Sequence, residues 1–464
     1  DMFDGLRLAE GRDEIDIGSS MPPLVMNDVV VVGPAHRVSM RPPSKENVKG
    51  DVRGYSAITG EHLWTFRTIP QRGDVGYETW MNDGAEISGN AGVWAPLSGD
   101  AELGLVYLPV ESATGDRYGA DRPGNNLFAN SLVALDIATG ERKWHYQIIH
   151  HDIWDWDNPS APILADLPNG KKVIMQVTKQ SYVYTFDREN GEPIWPIEEL
   201  PVPAGDVPGE WYAPTQPFPT KPAGFDRQGF TEDDLIDFTP ELREKALLAV
   251  ADFRLSPSLY SPPSLKDAAD GTKGTLSLPS ATGGANWEGS AIDPETGMLY
   301  IPSRTTISVL SVEKDESSDV AFSQSYGVRV PRVNGLPIVK PPYGRITAID
   351  MNSGDHAWMI ANADTPERIA NNPALEGVDL PRTGIETKSG ILLTKTLLFA
   401  GEGVGGGPTL RAHDKMTGEI LAEIELPNAQ TGVPMTYEHN DKQYLVMVVS
   451  GGGTAAEIVA YALP

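Results

Sequence analysis

Apolar and polar positions alternate in short runs along this chain, the period-two pattern of strands with one buried face. The runs recur with a fixed ending. An apolar alternation, a turn closing on Gly and a Trp four residues after that Gly appear as GYSAITGEHLW ending at Trp64, VALDIATGERKW at Trp144, YTFDRENGEPIW at Trp195 and TAIDMNSGDHAW at Trp358. A fifth copy, RAHDKMTGEILA, has Ala422 in the Trp position. Each copy predicts a hairpin whose Gly takes positive φ and whose returning strand places its Trp between neighbouring sheets. Units such as WAPLSGDAELGLVYLP (Trp94 to Pro109) and GSAIDPETGMLYIP (Gly289 to Pro302) supply two further strands each. The repeated Gly residues at 60, 140, 191, 354 and 418 lie 80, 51, 163 and 64 residues apart, so a period near 50 carries insertions. Radial repetition of four-stranded blades predicts an all-β fold, a β-propeller, forming a single domain over residues 1–464.

The widest insertion runs from about 196 to 278. Its first part is Pro-rich and reads as extended, and Thr239-Pro240-Glu241 is an N-cap with Pro at the first helical position, opening a helix to about Ala251. A loop of this length is expected to be an ordered excursion that helps to roof a site, with simple packing as the alternative.

Composition narrows the function classes. The 464 residues carry 37 Lys and Arg against 64 Asp and Glu, a formal charge of −27, with no basic block; nucleic acid and anionic membrane surfaces would be repelled. The absence of cysteine excludes disulfides, thiolate metal sites and a cysteine nucleophile. No apolar stretch reaches the ~20 residues of a membrane span, and Asp1 to Asp4 show no signal-peptide pattern. HExxH, GxSxG and a helix-opening GxGxxG are all missing, and the Gly-rich GEGVGGGP (Gly401 to Pro408) lacks the Lys-Ser/Thr of a phosphate loop.

The densest chemistry is HHDIWDWDNP, His150 to Pro159. Three carboxylates, two imidazoles and two indoles in so short a run require partners or a polar cavity. If extended, the run points Asp155 and Asp157 to one side, where they would invite a hard cation or share a proton; a hydrogen-bonded surface loop is the alternative. His150 and His151 would point to opposite faces. Lys179, in QVTKQSYVYTFD, lies between two strands and could reach the propeller axis or sit in a solvated turn. Trp94, and Asn286 with Trp287 in GGANWEG, offer aromatic faces and hydrogen bonds, with core packing as the plain alternative.

Taken together, these residues resemble the pyrroloquinoline quinone (PQQ)-dependent alcohol and glucose dehydrogenases, nearest to the membrane-bound glucose dehydrogenase branch and its soluble relatives. The resemblance spans nearly the whole chain and is most specific in HHDIWDWD followed by VTKQ. It implies that Trp94 is the indole on which the planar quinone stacks, that Thr114 offers the cofactor a hydroxyl, and that Asn286 and Trp287 are further cofactor contacts. By the same resemblance Asp155 is the general base that removes the alcohol proton, and Lys179 steadies charge on the ortho-quinone oxygens. A Lewis-acid ion, Ca²⁺ or a lanthanide, would be held with Asp155 and Asp157. Also implied are an alcohol or sugar substrate, a cytochrome c or quinone acceptor, and a periplasmic location.

Three departures accompany the resemblance. The family's propeller has eight blades and this chain begins about two blades late; the residue above the quinone plane is undefined without cysteine; and HRVSMRPPSKENVKGD (His36 to Asp51) offers no metal ligands in register. Two other functions compete: a non-catalytic propeller scaffold for protein binding, and a metal-dependent hydrolase using Asp155 and Asp157.

Overall fold

In the computed structural model, residues 17–36, 41–42 and 44–462 are described. The N-terminal residues Asp1 to Asp4 and part of the His36 to Asp51 stretch, residues 37–40 and 43, lie outside that set. The repeats ending at Trp64, Trp144, Trp358 and Ala422 fold as hairpins, and among the described residues six antiparallel meander sheets follow one another. The first consists of Leu24–Met26, Val29–Val32, Val52–Ser56 and His62–Phe66. The second consists of Ser98–Asp100, Leu105–Pro109, Ser131–Asp136 and Arg142–Gln147. The fourth (Ala291–Asp293, Met298–Arg304, Gly344–Asp350, Asp355–Ala361) and the fifth (Ile391–Leu393, Leu397–Gly401, Thr409–Asp414, Ile420–Glu425) repeat that plan.

Two blades depart from four strands. The third has Ile163–Asp166, Lys172–Val177 and Val183–Asp187, and its return segment makes only an isolated bridge between Phe186 and Pro193. Pro193 has no N–H to give to a ladder, which accounts for the truncated outer strand. The sixth has Met435–His439, Lys442–Gly451 and Thr454–Ala462.

Buried apolar clusters join each blade to the next, as with Val31 and Trp64 against Val106 and Leu108, or Tyr300 and Ile346 against Leu398. The Trp residues act at these joints. Trp64 Nε1 donates to the Ile137 carbonyl at 2.8 Å, and its ring lies where a Cβ on Gly140 would come within 2.7 Å. Trp144 stands in the same way against Gly191 (2.6 Å), and Trp358 against Gly418 (3.0 Å). Each Trp therefore docks on the Gly turn of the next repeat, and that turn Gly holds a φ near +75°. Ala422 is exposed because the following sheet has no such turn to receive an indole.

The excursion is ordered. Its helix, Pro240–Val250, begins where the Thr239 hydroxyl accepts the Leu242 N–H, and it buries Leu242, Ala246 and Val250 on one face. These join Phe230, Ile236, Leu336 and Tyr343 in a core shared with the 305–342 loop. Strand Thr275–Ser277 pairs with Ser308–Lys314, so the two insertions form one layer. Among the described residues no helix is long and apolar enough to cross a membrane.

Candidate active site

The His150 to Pro159 run forms an irregular loop between the second and third blades. Of the two expectations for this run, extended strand or hydrogen-bonded loop, the structure shows the loop, and the Asp155 φ is +58°. Such a backbone is strained for a non-Gly residue and must be held by its surroundings. Asp152 holds it: its carboxylate accepts the N–H of Trp154 and of Trp156, both at 2.8 Å, so the residues before and after Asp155 are tied to one side chain. Ser112 and Asn130 donate to the same carboxylate. Trp154 and Trp156 stack at 5.6 Å and give their ring N–H groups to the Ser261 and Ser280 carbonyls of the excursion side.

Asp155 and Asp157 nevertheless converge, and on Lys179. The Lys179 ammonium lies 3.0 Å from Asp155 Oδ1, 2.7 Å from Asp157 Oδ2 and 2.7 Å from the Asp155 carbonyl. Lys179 is buried at the end of the strand ending at Val177, and the GGANWEG loop packs on its backbone: a Cβ on Gly283 would meet Lys179 Cα at 2.7 Å, and Gly284 N–H donates to the Lys179 carbonyl. The half-buried Trp94 ring lies 6.0 Å below the ammonium. Arg117 approaches Asp155 Oδ2 at 3.7 Å and is oriented by Gln324 of the 305–342 loop.

Burial pushes the Asp155 carboxyl up to about 7, with the Asp157 charge adding to the effect and Lys179 and Arg117 opposing it. Asp157 is buried where Asp155 is only partly so, but the Lys179 charge and the hydrogen bonds from Lys179 and the Ser112 N–H hold it below the ordinary range. Burial opposes the Lys179 charge, yet the two carboxylates carry its pKa upward. Two neighbouring carboxylates thus have different characters, one a proton acceptor near neutrality and one firmly ionised.

Asp116 is a further acidic group that the sequence reading passed over. It is buried, its Oδ2 has no hydrogen-bond partner, and burial with the Asp155 charge raises it well above the ordinary range. Ser112, Asp116 and Arg117 all follow the inner end of the strand Leu105–Pro109, so a polar run just past a strand end was the available signal. The Thr114 hydroxyl is likewise buried and unpartnered.

Other expectations fare differently. His150 bonds Gln147 and Glu199 at the rim, whereas His151 is buried against Glu210 of the excursion at 3.0 Å. Neither imidazole touches the aspartates. Asn286 gives its amide to the Thr282 carbonyl and accepts the Trp287 N–H, closing its own loop, and no hydrogen bond joins either residue to Lys179. The Gly-rich 401–408 segment is closed by Glu402, which accepts the Gly407 N–H and pairs with buried Arg411, a structural turn.

The fold and this centre define a β-propeller with an acid–cation site beside an indole face. The family model for the glucose/ethanol/alcohol dehydrogenase β-propeller domain that uses PQQ matches residues 3–445, and the chain belongs to that family. The quinoprotein glucose dehydrogenase of Escherichia coli (strain K12) is 31% identical, over 96% of this chain and 57% of its own length. The glycerol dehydrogenase large subunit of Gluconobacter oxydans (strain 621H) is 29% identical, over 97% and 63%. The quinohemoprotein alcohol dehydrogenase structure from Comamonas testosteroni superimposes with a TM-score of 0.60 at 23% identity, covering 95% of this chain and 57% of that one, and shows the shared fold. The chain spans 55 to 63% of the length of the first curated relatives it matches.

The residues fit the quinone: an indole face, a buried ammonium and the unpartnered Thr114 hydroxyl are complementary to a flat ring edged with oxygen. They also fit a hard cation in donor type, since the Asp155 and Asp157 carboxylates converge on one point, the Lys179 ammonium. Among the described residues no three acidic or imidazole side chains converge on one point.

Proposed function

We propose that this propeller oxidises the hydroxyl group of an alcohol or sugar to a carbonyl, with Asp155 as general base. One observation carries the proposal: the Asp155 carboxylate, raised to about 7 by burial, stands against the Lys179 ammonium over the Trp94 face. Bound there, PQQ would take up the hydride, with Ca²⁺ or a lanthanide ion as Lewis acid held by Asp155 and Asp157. Asp155 removes the hydroxyl proton, for which a carboxylate poised near neutrality is well matched. Lys179 keeps Asp157 ionised and offers its protons to oxygens brought over Trp94. Trp94 fixes the plane in which a flat ring lies, and the excursion, through Ser261, holds the base loop from the other side.

The relatives are glucose, glycerol and quinate dehydrogenases by name, which supports a polyhydroxylated substrate; one is a quinate/shikimate dehydrogenase (quinone), which supports a quinone acceptor beside a cytochrome. A periplasmic place of action and a single domain over residues 1–464 belong to the same proposal. The scaffold and hydrolase alternatives have no comparable support, because neither needs a paired Lys179 and Asp155 over an indole.

The test is a titration of the purified chain with PQQ and Ca²⁺, or with a lanthanide, followed by dye reduction across a panel of alcohols and sugars. Ion-dependent quinone binding with turnover supports the proposal. A folded chain that binds no quinone overturns it, and hydrolysis without dye reduction favours the hydrolase.

A further inference from the structure

Arg122 is almost wholly buried; the Glu210, Asp152 and Asp116 charges favour its ionised form from a distance, and among the described residues no carboxylate oxygen lies within ion-pair distance of its guanidinium. Its four hydrogen bonds go to oxygens on three different segments. Nε donates to the Thr114 carbonyl (2.9 Å), Nη2 to the Gly115 carbonyl (2.9 Å) and to the Asp152 carbonyl (2.6 Å), and Nη1 to Asn126 Oδ1 (2.8 Å). Asn126 in turn donates to the Arg122 carbonyl and shares its Oδ1 with His151. The space is shaped for the group: a Cβ on Gly119 would stand 3.0 Å from Arg122 Cζ and 2.8 Å from the His151 ring.

A buried guanidinium with no direct ion pair is an expensive way to satisfy backbone carbonyls, which water or an amide could serve. A planar group with five donors in a rigid fork can bridge several carbonyls at fixed spacing, as an ammonium cannot. The carbonyls it bridges belong to the two loops that make up the site. One carries Thr114 and Asp116; the other, begun by Asp152, carries Asp155 and Asp157.

We propose that Arg122 is a positioning residue: its guanidinium sets the register between the 112–117 loop and the 152–157 loop, and so the distance from the base to whatever lies over Trp94. The catalytic part of this inference rests on the dehydrogenase proposal, whereas the clamp itself does not. Arg122 touches none of the reacting groups and acts through Asp152 and Thr114.

Hydrogen exchange on the quinone-free chain tests the clamp. In Arg122→Lys the amides of Ser112, Trp154 and Trp156 should exchange at least about tenfold faster, while amides of blade strands such as Val133 and Val177 keep their rates. In Arg122→Ala, added methylguanidinium should restore the loop amides. Asn126→Ala, which removes one anchor, should give a smaller effect at the same amides and keeps the test available if the Arg122 variants do not fold. Unchanged loop protection would overturn the inference, and so would a loss spread evenly over the blades, which is what general destabilisation produces. With PQQ bound, Arg122→Lys should lower kcat about 100-fold and move KM by no more than about twofold, as expected for a misplaced base. A wild-type chain that takes up no quinone would sink the dehydrogenase proposal while the exchange result still decided the clamp.

Discussion

Lys179 is one positive charge shared by two carboxylates, and the consequences of removing a member differ at each position. Asp155→Asn keeps the shape and removes the base, so turnover should fall by about 10²- to 10⁴-fold while PQQ binding, followed by its absorbance, stays within a few-fold of wild type. Lys179→Ala leaves buried Asp157 with the Ser112 N–H but no cation, and Asp155 with Arg117 alone, and the unfolding free energy in urea should drop by about 3 kcal/mol. The raised Asp155 carboxyl, near 7, also sets a pH dependence. Below that pH the group is protonated and an ion must displace the proton, so Ca²⁺ affinity should weaken as pH falls through about 7, by up to about tenfold per unit, and level off above it. Calorimetric titration at about pH 6 and about pH 8 checks the direction, and equal affinities would remove Asp155 from the ion's shell.

At the scale of the element, the Trp-to-Gly joint is the unit of blade packing. Trp144 lies buried across the Gly191 turn of the next repeat. Trp144→Ala should cost about 3–5 kcal/mol of stability. Ala422→Trp, on an exposed strand with no turn facing it, should stay within about 0.5 kcal/mol of wild type, as thermal melts of the two variants would show. The same contrast explains what was legible here. The hairpins, their Gly turns and the helix capped by Thr239 follow from local residue patterns, and the structure contains them. The missing outer strand of the third blade was legible in principle at Pro193, where period-two alternation outweighed the lost donor. The site loop is harder to read, because its alternation is compatible with a strand or a loop, and Asp152 folds it into a compact loop with Asp155 at positive φ.

Across the whole molecule, the two insertions share a core and reach the site from outside the blades: Glu210 meets His151, Ser261 meets Trp154 and Gln324 meets Arg117. A ligand seated between blade loops and insertions should stabilise all of them together. PQQ with Ca²⁺ at about 100 times its dissociation constant should add about 2.7 kcal/mol, seen as a rise in melting temperature that nicotinamide dinucleotides do not reproduce. A melt unmoved by PQQ would argue against a preformed site.

Residue spacing alone determined the blade repeat, the placing of Gly and Trp, the acidic and aromatic density of HHDIWDWD and its likeness to the PQQ dehydrogenases. These are local properties, set by strand period, turn chemistry and side-chain type. Only the tertiary structure decided that Asp155 and Asp157 share Lys179, that Asp116 and Arg117 stand beside them, and that Arg122 ties their loops together. Those contacts join segments tens of residues apart, and burial, which turns Asp155 into a base near neutrality, exists only once the loops and insertions have closed around it.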